Sequence, residues 1–61
     1  MKDLPERMLD FRAKNNMSQR ELAEKVKVTI QTINSVERGL QEPSRLTRKK
    51  IELVIGEEGE T

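Results

Sequence analysis

Within the stretch VTIQTINSVERG, residues 28–39, the chain gathers Gln31, Thr32, Asn34 and Ser35, with Ser18 and Gln19 about a dozen residues earlier. Amides and hydroxyls donate and accept hydrogen bonds without carrying charge, so they can recognise but are poor catalysts unaided. Nothing nearby supplies reactivity. The chain has no His and no Cys, which removes imidazole proton transfer, thiolate nucleophiles and the usual zinc ligands. Its carboxylates are spread among basic neighbours, so no enzyme activity, metal, cofactor or small-molecule substrate is expected. If the stretch is helical, at about 100° per residue Ile33 and Val36 point one way. Gln31, Ser35 and Arg38 then point the other, with Thr32 and Asn34 on the flanks. An outer face of amides and hydroxyls, where Glu and Lys are usual, suits the base edges of a DNA major groove. Gln pairs in two bonds with adenine, Ser and Thr with several bases, and an apolar atom touches the thymine methyl group. An ordinary polar surface helix is the competing reading.

The elements that must hold these groups follow from capping signals and apolar spacing. Asp3 with Glu6 three residues later, and Pro5 where a missing N–H costs nothing, open a helix over 4–15. Leu4, Met8 and Phe11 fall on its inner face, and Asn16 can take the left-handed conformation that ends it. Ser18 and Glu21 form a capping box for a second helix, whose inner stripe is Leu22, Ala23 and Val26. Thr29 can cap the third, with Gly39 in the stop position. Pro43 and Ser44 open a fourth segment expected to end at Gly56. Its Leu46, Ile51, Leu53, Val54 and Ile55 cover a wide apolar arc if helical. The run IELVI also fits a strand with Ile51, Leu53 and Ile55 on one side; helix is favoured.

Sixty-one residues make one small domain that buries only about 60% of its unfolded surface. The net charge of +1 hides an uneven distribution: residues 1–56 hold twelve Lys or Arg against eight Asp or Glu. Arg38, Arg45, Arg48, Lys49 and Lys50 face a single Glu42 within 38–50, an excess that attracts phosphate or is an ordinary solvated face. Glu57, Glu58 and Glu60 make residues 57–61 an acidic tail expected to be disordered, outside a folded domain of residues 1–56. No apolar run reaches membrane-spanning length, so a cytoplasmic protein is expected.

From Arg12 to Pro43 the sequence resembles the Cro/cI-type, or XRE-family, helix-turn-helix proteins of phage repressors and bacterial regulators. The residues that carry the likeness are Arg12, MSQRELAEKV, VTIQTINSVERG and Pro43. It implies an all-α, lambda-repressor-like bundle of four helices, or an incomplete one of five. The helix from Ser18 would cross the DNA backbone and the one from Thr29 would enter the major groove. Carried over, the likeness gives Gln19 a phosphate contact through side chain and backbone N–H. Ile30, Gln31, Thr32 and Ser35 receive base edges, Asn34 base or backbone, and Arg38 and Arg45 the flanking phosphates. Ser18 and Gln19 could instead only cap, Thr29 cap rather than read, and Ile30 shield the core. Arg12 and Glu37 would form a structural ion pair between the first and third helices.

Three departures matter. Lys27 stands where the family usually has Gly, so it must accept a left-handed conformation or change the turn. Ile30 replaces a frequent Gln, so the operator cannot be copied from relatives. Arg45, Arg48 and Lys49 occupy often apolar positions, and a fifth helix is missing. Leu46 and Leu53 on one side of the fourth helix, with Ile51 and Ile55 on another, exceed what one core covers, which points to a homodimer on a palindromic site. The expected function is a sequence-specific transcriptional regulator that occludes an operator in double-stranded DNA. The alternative is an antitoxin-like module that holds a protein partner through its C-terminal segment.

Overall fold

Each helix begins where a side-chain oxygen satisfies an otherwise orphaned backbone N–H. In the computed structural model, which describes residues 3–59 and side chains through residue 56, Asp3 caps α1 (Leu4–Asn15) by accepting from Glu6 N–H at 3.1 Å. Ser18 and Glu21 close the capping box of α2 (Gln19–Val26) at 3.0 and 2.9 Å. Thr29 caps α3 (Ile30–Glu37), accepting from Thr32 N–H at 3.2 Å. Ser44 does the same for α4 (Arg45–Gly59), accepting from Thr47 N–H at 3.2 Å. The expected all-α, four-helix architecture is observed, with no strand among the described residues.

The stops are equally local. Asn16 adopts φ 52° and Gly39 φ 74°, and in both turns the next residue reaches back, Met17 N–H to Arg12 carbonyl and Leu40 N–H to Ser35 carbonyl. Lys27 does take the left-handed conformation, at φ 70° and ψ 48°, where its N–H bonds the Ala23 carbonyl at 2.7 Å. The turn that relatives make with Gly is therefore kept, at a steric cost of about 1–2 kcal/mol for a residue with a Cβ.

Ten side chains form the core: Leu4, Met8 and Phe11 from α1, Leu22, Ala23 and Val26 from α2, Ile33 and Val36 from α3, Ile51 and Ile55 from α4. The spacing of Ile51 and Ile55 is that of one helical turn, which settles the strand-or-helix ambiguity of IELVI: Leu53, inward on a strand, lies outside. One expectation needs correction. The fourth helix does not stop at Gly56 but continues to Gly59, since a helix interior tolerates glycine for about 1 kcal/mol. Glu57 and Glu58 of the expected disordered tail thus stand on helical backbone, while Glu60 and Thr61 lie outside the described residues. Both α3 and α4 rest on α1 and α2, which leaves the outer side of α3 uncovered.

The two left-handed positions respond oppositely to substitution. Lys27→Gly should raise stability by about 0.5–1 kcal/mol, the relieved clash less glycine's extra entropy loss. Gly39→Ala meets no atom within 4 Å yet keeps a φ of 74°, and should lower stability by about 1 kcal/mol through backbone strain alone. Thermal unfolding followed by circular dichroism checks both, as each change moves Tm by several degrees in a domain this small.

Candidate nucleic-acid interface

The angle between α2 and α3 is held by a buried carboxylate. Glu37, at the last turn of α3, is only 3% exposed at its side chain, and Arg12 of α1 clamps it from Nε at 2.7 Å and Nη2 at 2.8 Å. A guanidinium fork matches a carboxylate in two parallel bonds, which fixes orientation as well as distance. Arg12 also donates from Nη1 to the Met17 carbonyl at 3.2 Å, gripping the turn between α1 and α2. The hydrogen bond to Glu37 raises the Arg12 pKa above its ordinary value; burial opposes this and the carboxylate's charge adds to it. The expected ion pair between the first and third helices is thus present, and it reaches further than expected. Gln19, from the first turn of α2, donates through Nε2 to Glu37 Oε1 at 2.9 Å and to Asn34 Oδ1 at 3.3 Å.

The Gln19 amide, expected to meet a phosphate, bonds Glu37 and Asn34 within the protein, because a desolvated carboxylate competes more strongly for a neutral donor than solvent does. Its backbone N–H, at the first position of α2, keeps the site of the expected contact. Ser18 acts as a cap. Thr29 is likewise a cap, with its hydroxyl 2.9 Å from that of Thr32.

The uncovered side of α3 forms a shallow, open depression lined by Thr29, Gln31, Thr32, Asn34, Ser35 and Gln41. All six are uncharged hydrogen-bonding residues. Gln41, in the loop after α3, was missed by the sequence reading: it lies outside the helical periodicity. Its signal was the Gly39 turn, whose bond from Leu40 N–H to Ser35 carbonyl folds the chain back toward α3. Gln31 is exposed, and Ile30 is 46% exposed at the start of α3. Arg38, at the end of α3, and Arg45, at the start of α4, are both exposed. Arg48, by contrast, pairs with Glu52 at 3.1 Å on the surface of α4. Among the described residues no cluster of His, Cys, Asp or Glu could hold a metal ion, and no helix is long and apolar enough to cross a membrane.

A short helix that packs by one side and turns uncharged polar groups outward, braced by a preceding helix across a tight turn, defines the helix-turn-helix class of DNA-binding domains. The chain belongs to the Cro/cI-type, XRE helix-turn-helix family: the family model described as "Helix-turn-helix" matches residues 8–60. Nothing among curated proteins or solved structures gives a significant match. Membership makes this a DNA-binding regulator whose partner is double-stranded DNA, in a family that is regulatory and not typically enzymatic.

Removing the carboxylate tests the brace. Glu37→Ala leaves the Arg12 guanidinium without its partner and should cost about 3 kcal/mol, the lower end for a broken buried pair because Arg12 stays 20% exposed. Urea unfolding measures this loss, and the double change Arg12→Met with Glu37→Leu should recover much of it, since apolar replacements desolvate without penalty.

Proposed function

We propose that this protein is a sequence-specific transcriptional regulator that binds an operator as a homodimer and blocks access to a promoter. The observation that carries the reading is the depression on α3, built wholly from amides and hydroxyls. Phosphate binding calls for charge; base edges call for neutral donors and acceptors at fixed positions. In this reading Gln31, Thr32 and Ser35 meet base edges with Ile30 against a thymine methyl, and Asn34 faces the same groove. Arg38, Arg45 and the Gln19 backbone N–H hold phosphates on either side.

A homodimer is supported by α4. Leu46 and Leu53, two turns apart, are 65% and 62% exposed while Ile51 and Ile55 of the same helix are buried in the core. Two-fold pairing through that ridge would cover it and bring two α3 helices to a palindromic operator, with half-sites about one DNA turn, or roughly 34 Å, apart. The same ridge favours the second reading, an antitoxin-like module with a protein partner on α4. With DNA as its target, the protein acts in the cytoplasm of a bacterial cell, whether encoded by the bacterium or by a phage.

Sequences selected from a random DNA pool should converge on a palindrome. Gln31→Ala should weaken that site by about 1–3 kcal/mol and relax one base position. Arg45→Ala should weaken all sequences alike and reduce the salt slope by about 1. Leu46→Glu with Leu53→Glu should yield monomers by sedimentation and sharply reduced operator affinity. Monomers in the parent chain, free and on DNA, would reject the homodimer and turn attention to a partner protein on α4.

A further inference from the structure

The hydrogen bonds behind α3 have a direction. Glu37, as a carboxylate clamped by Arg12, can only accept, so the Gln19 side chain must offer its NH2 group and not its carbonyl. The second N–H of that group goes to Asn34 Oδ1. Asn34 therefore has its acceptor turned inward, and its own NH2 is the end left for the outside. No buried side-chain nitrogen or oxygen among the described residues lacks a partner, and Asn34 Nδ2 has no partner within the protein, so it lies at the surface. Asn34 also lines the depression on α3.

From this we infer that Glu37 and Gln19 act as positioning residues that lock Asn34 as a hydrogen-bond donor toward DNA, and that Asn34 selects a base edge presenting an acceptor. In the major groove that means purine N7, guanine O6 or thymine O4, and it disfavours the amino groups of cytosine and adenine. A free Asn could turn its amide over and accept either polarity; the locked one cannot. Gln19 thus contributes to specificity without touching DNA through its side chain. The inference rests on the major-groove reading above and adds the polarity of one contact.

Two measurements separate the relay from the base contact. In the free protein, the side-chain NH2 protons of Gln19 should be shifted and protected from exchange with water, while those of Asn34 exchange freely. Gln19 protons exchanging as fast as an exposed amide would overturn the relay whether or not DNA binds. On the selected site, every base pair is then varied against three proteins. Asn34→Asp, which swaps the donor for an acceptor at constant shape, should change the relative preference at one position by about tenfold against the acceptor-bearing base. Gln19→Met, which removes both bonds, should flatten the preference at that same position to within about twofold while leaving the salt slope unchanged. Binding weakened equally at all sequences in Gln19→Met, with base preference intact, would mean a phosphate contact and defeat the proposal. Equal losses at all sequences for Asn34→Asp would do the same. Failure of any sequence to be selected would overturn the major-groove reading and the base contact with it, and the exchange data would still report on the relay.

Discussion

A carboxylate sealed between three helices sets the terms for this protein. Glu37 has almost no water, so its charge must be matched at once by Arg12 from α1 and supplemented by Gln19 from α2. Such an arrangement adds little net stability compared with apolar packing, because the desolvation of both ions offsets their attraction. What it adds is uniqueness. Greasy side chains slide past one another at small cost, whereas a two-pronged guanidinium–carboxylate pair tolerates one distance and one orientation. For a domain whose task is to present a helix at a set angle, that is the more useful property.

The rest of the fold is economical in the same way. A chain of this length cannot bury much apolar surface, and a core of ten residues leaves a small margin over conformational entropy. Capping side chains and left-handed stops at Asn16, Lys27 and Gly39 therefore carry a large share of the definition of the helix ends. They keep the connections short, and short connections hold α2 and α3 as a single unit. Lys27 shows the limit of this economy: the turn geometry is needed badly enough that a residue with a Cβ endures it.

Surface chemistry is sorted by location. The outer side of α3 is neutral and hydrogen-bonding, Arg38 at its end and Arg45 at the start of α4 are exposed cations, and α4 turns Leu46 and Leu53 outward. Long-range charge brings a polyanion near regardless of sequence, while short directional bonds discriminate only after contact.

Much of this was legible from residue order, because caps, stops and apolar stripes act within four residues of one another. Asp3, Ser18, Thr29, Asn16 and Gly39 announced the first three helices, and the stripes of α1 to α3 named their core residues. The fourth helix was less legible: Gly56 looked like a stop, yet a glycine ends a helix only where the following chain turns away. Arg12 and Glu37 were paired through family likeness, not through any local pattern, since 25 residues separate them. Where the Gln19 amide points, how Asn34 is turned, and that Gln41 joins the outer side of α3 were decided by tertiary structure alone. Each depends on which groups from distant segments arrive at one place, and hydrogen-bond direction is settled there by the strongest acceptor present, a fact that no spacing along the chain encodes.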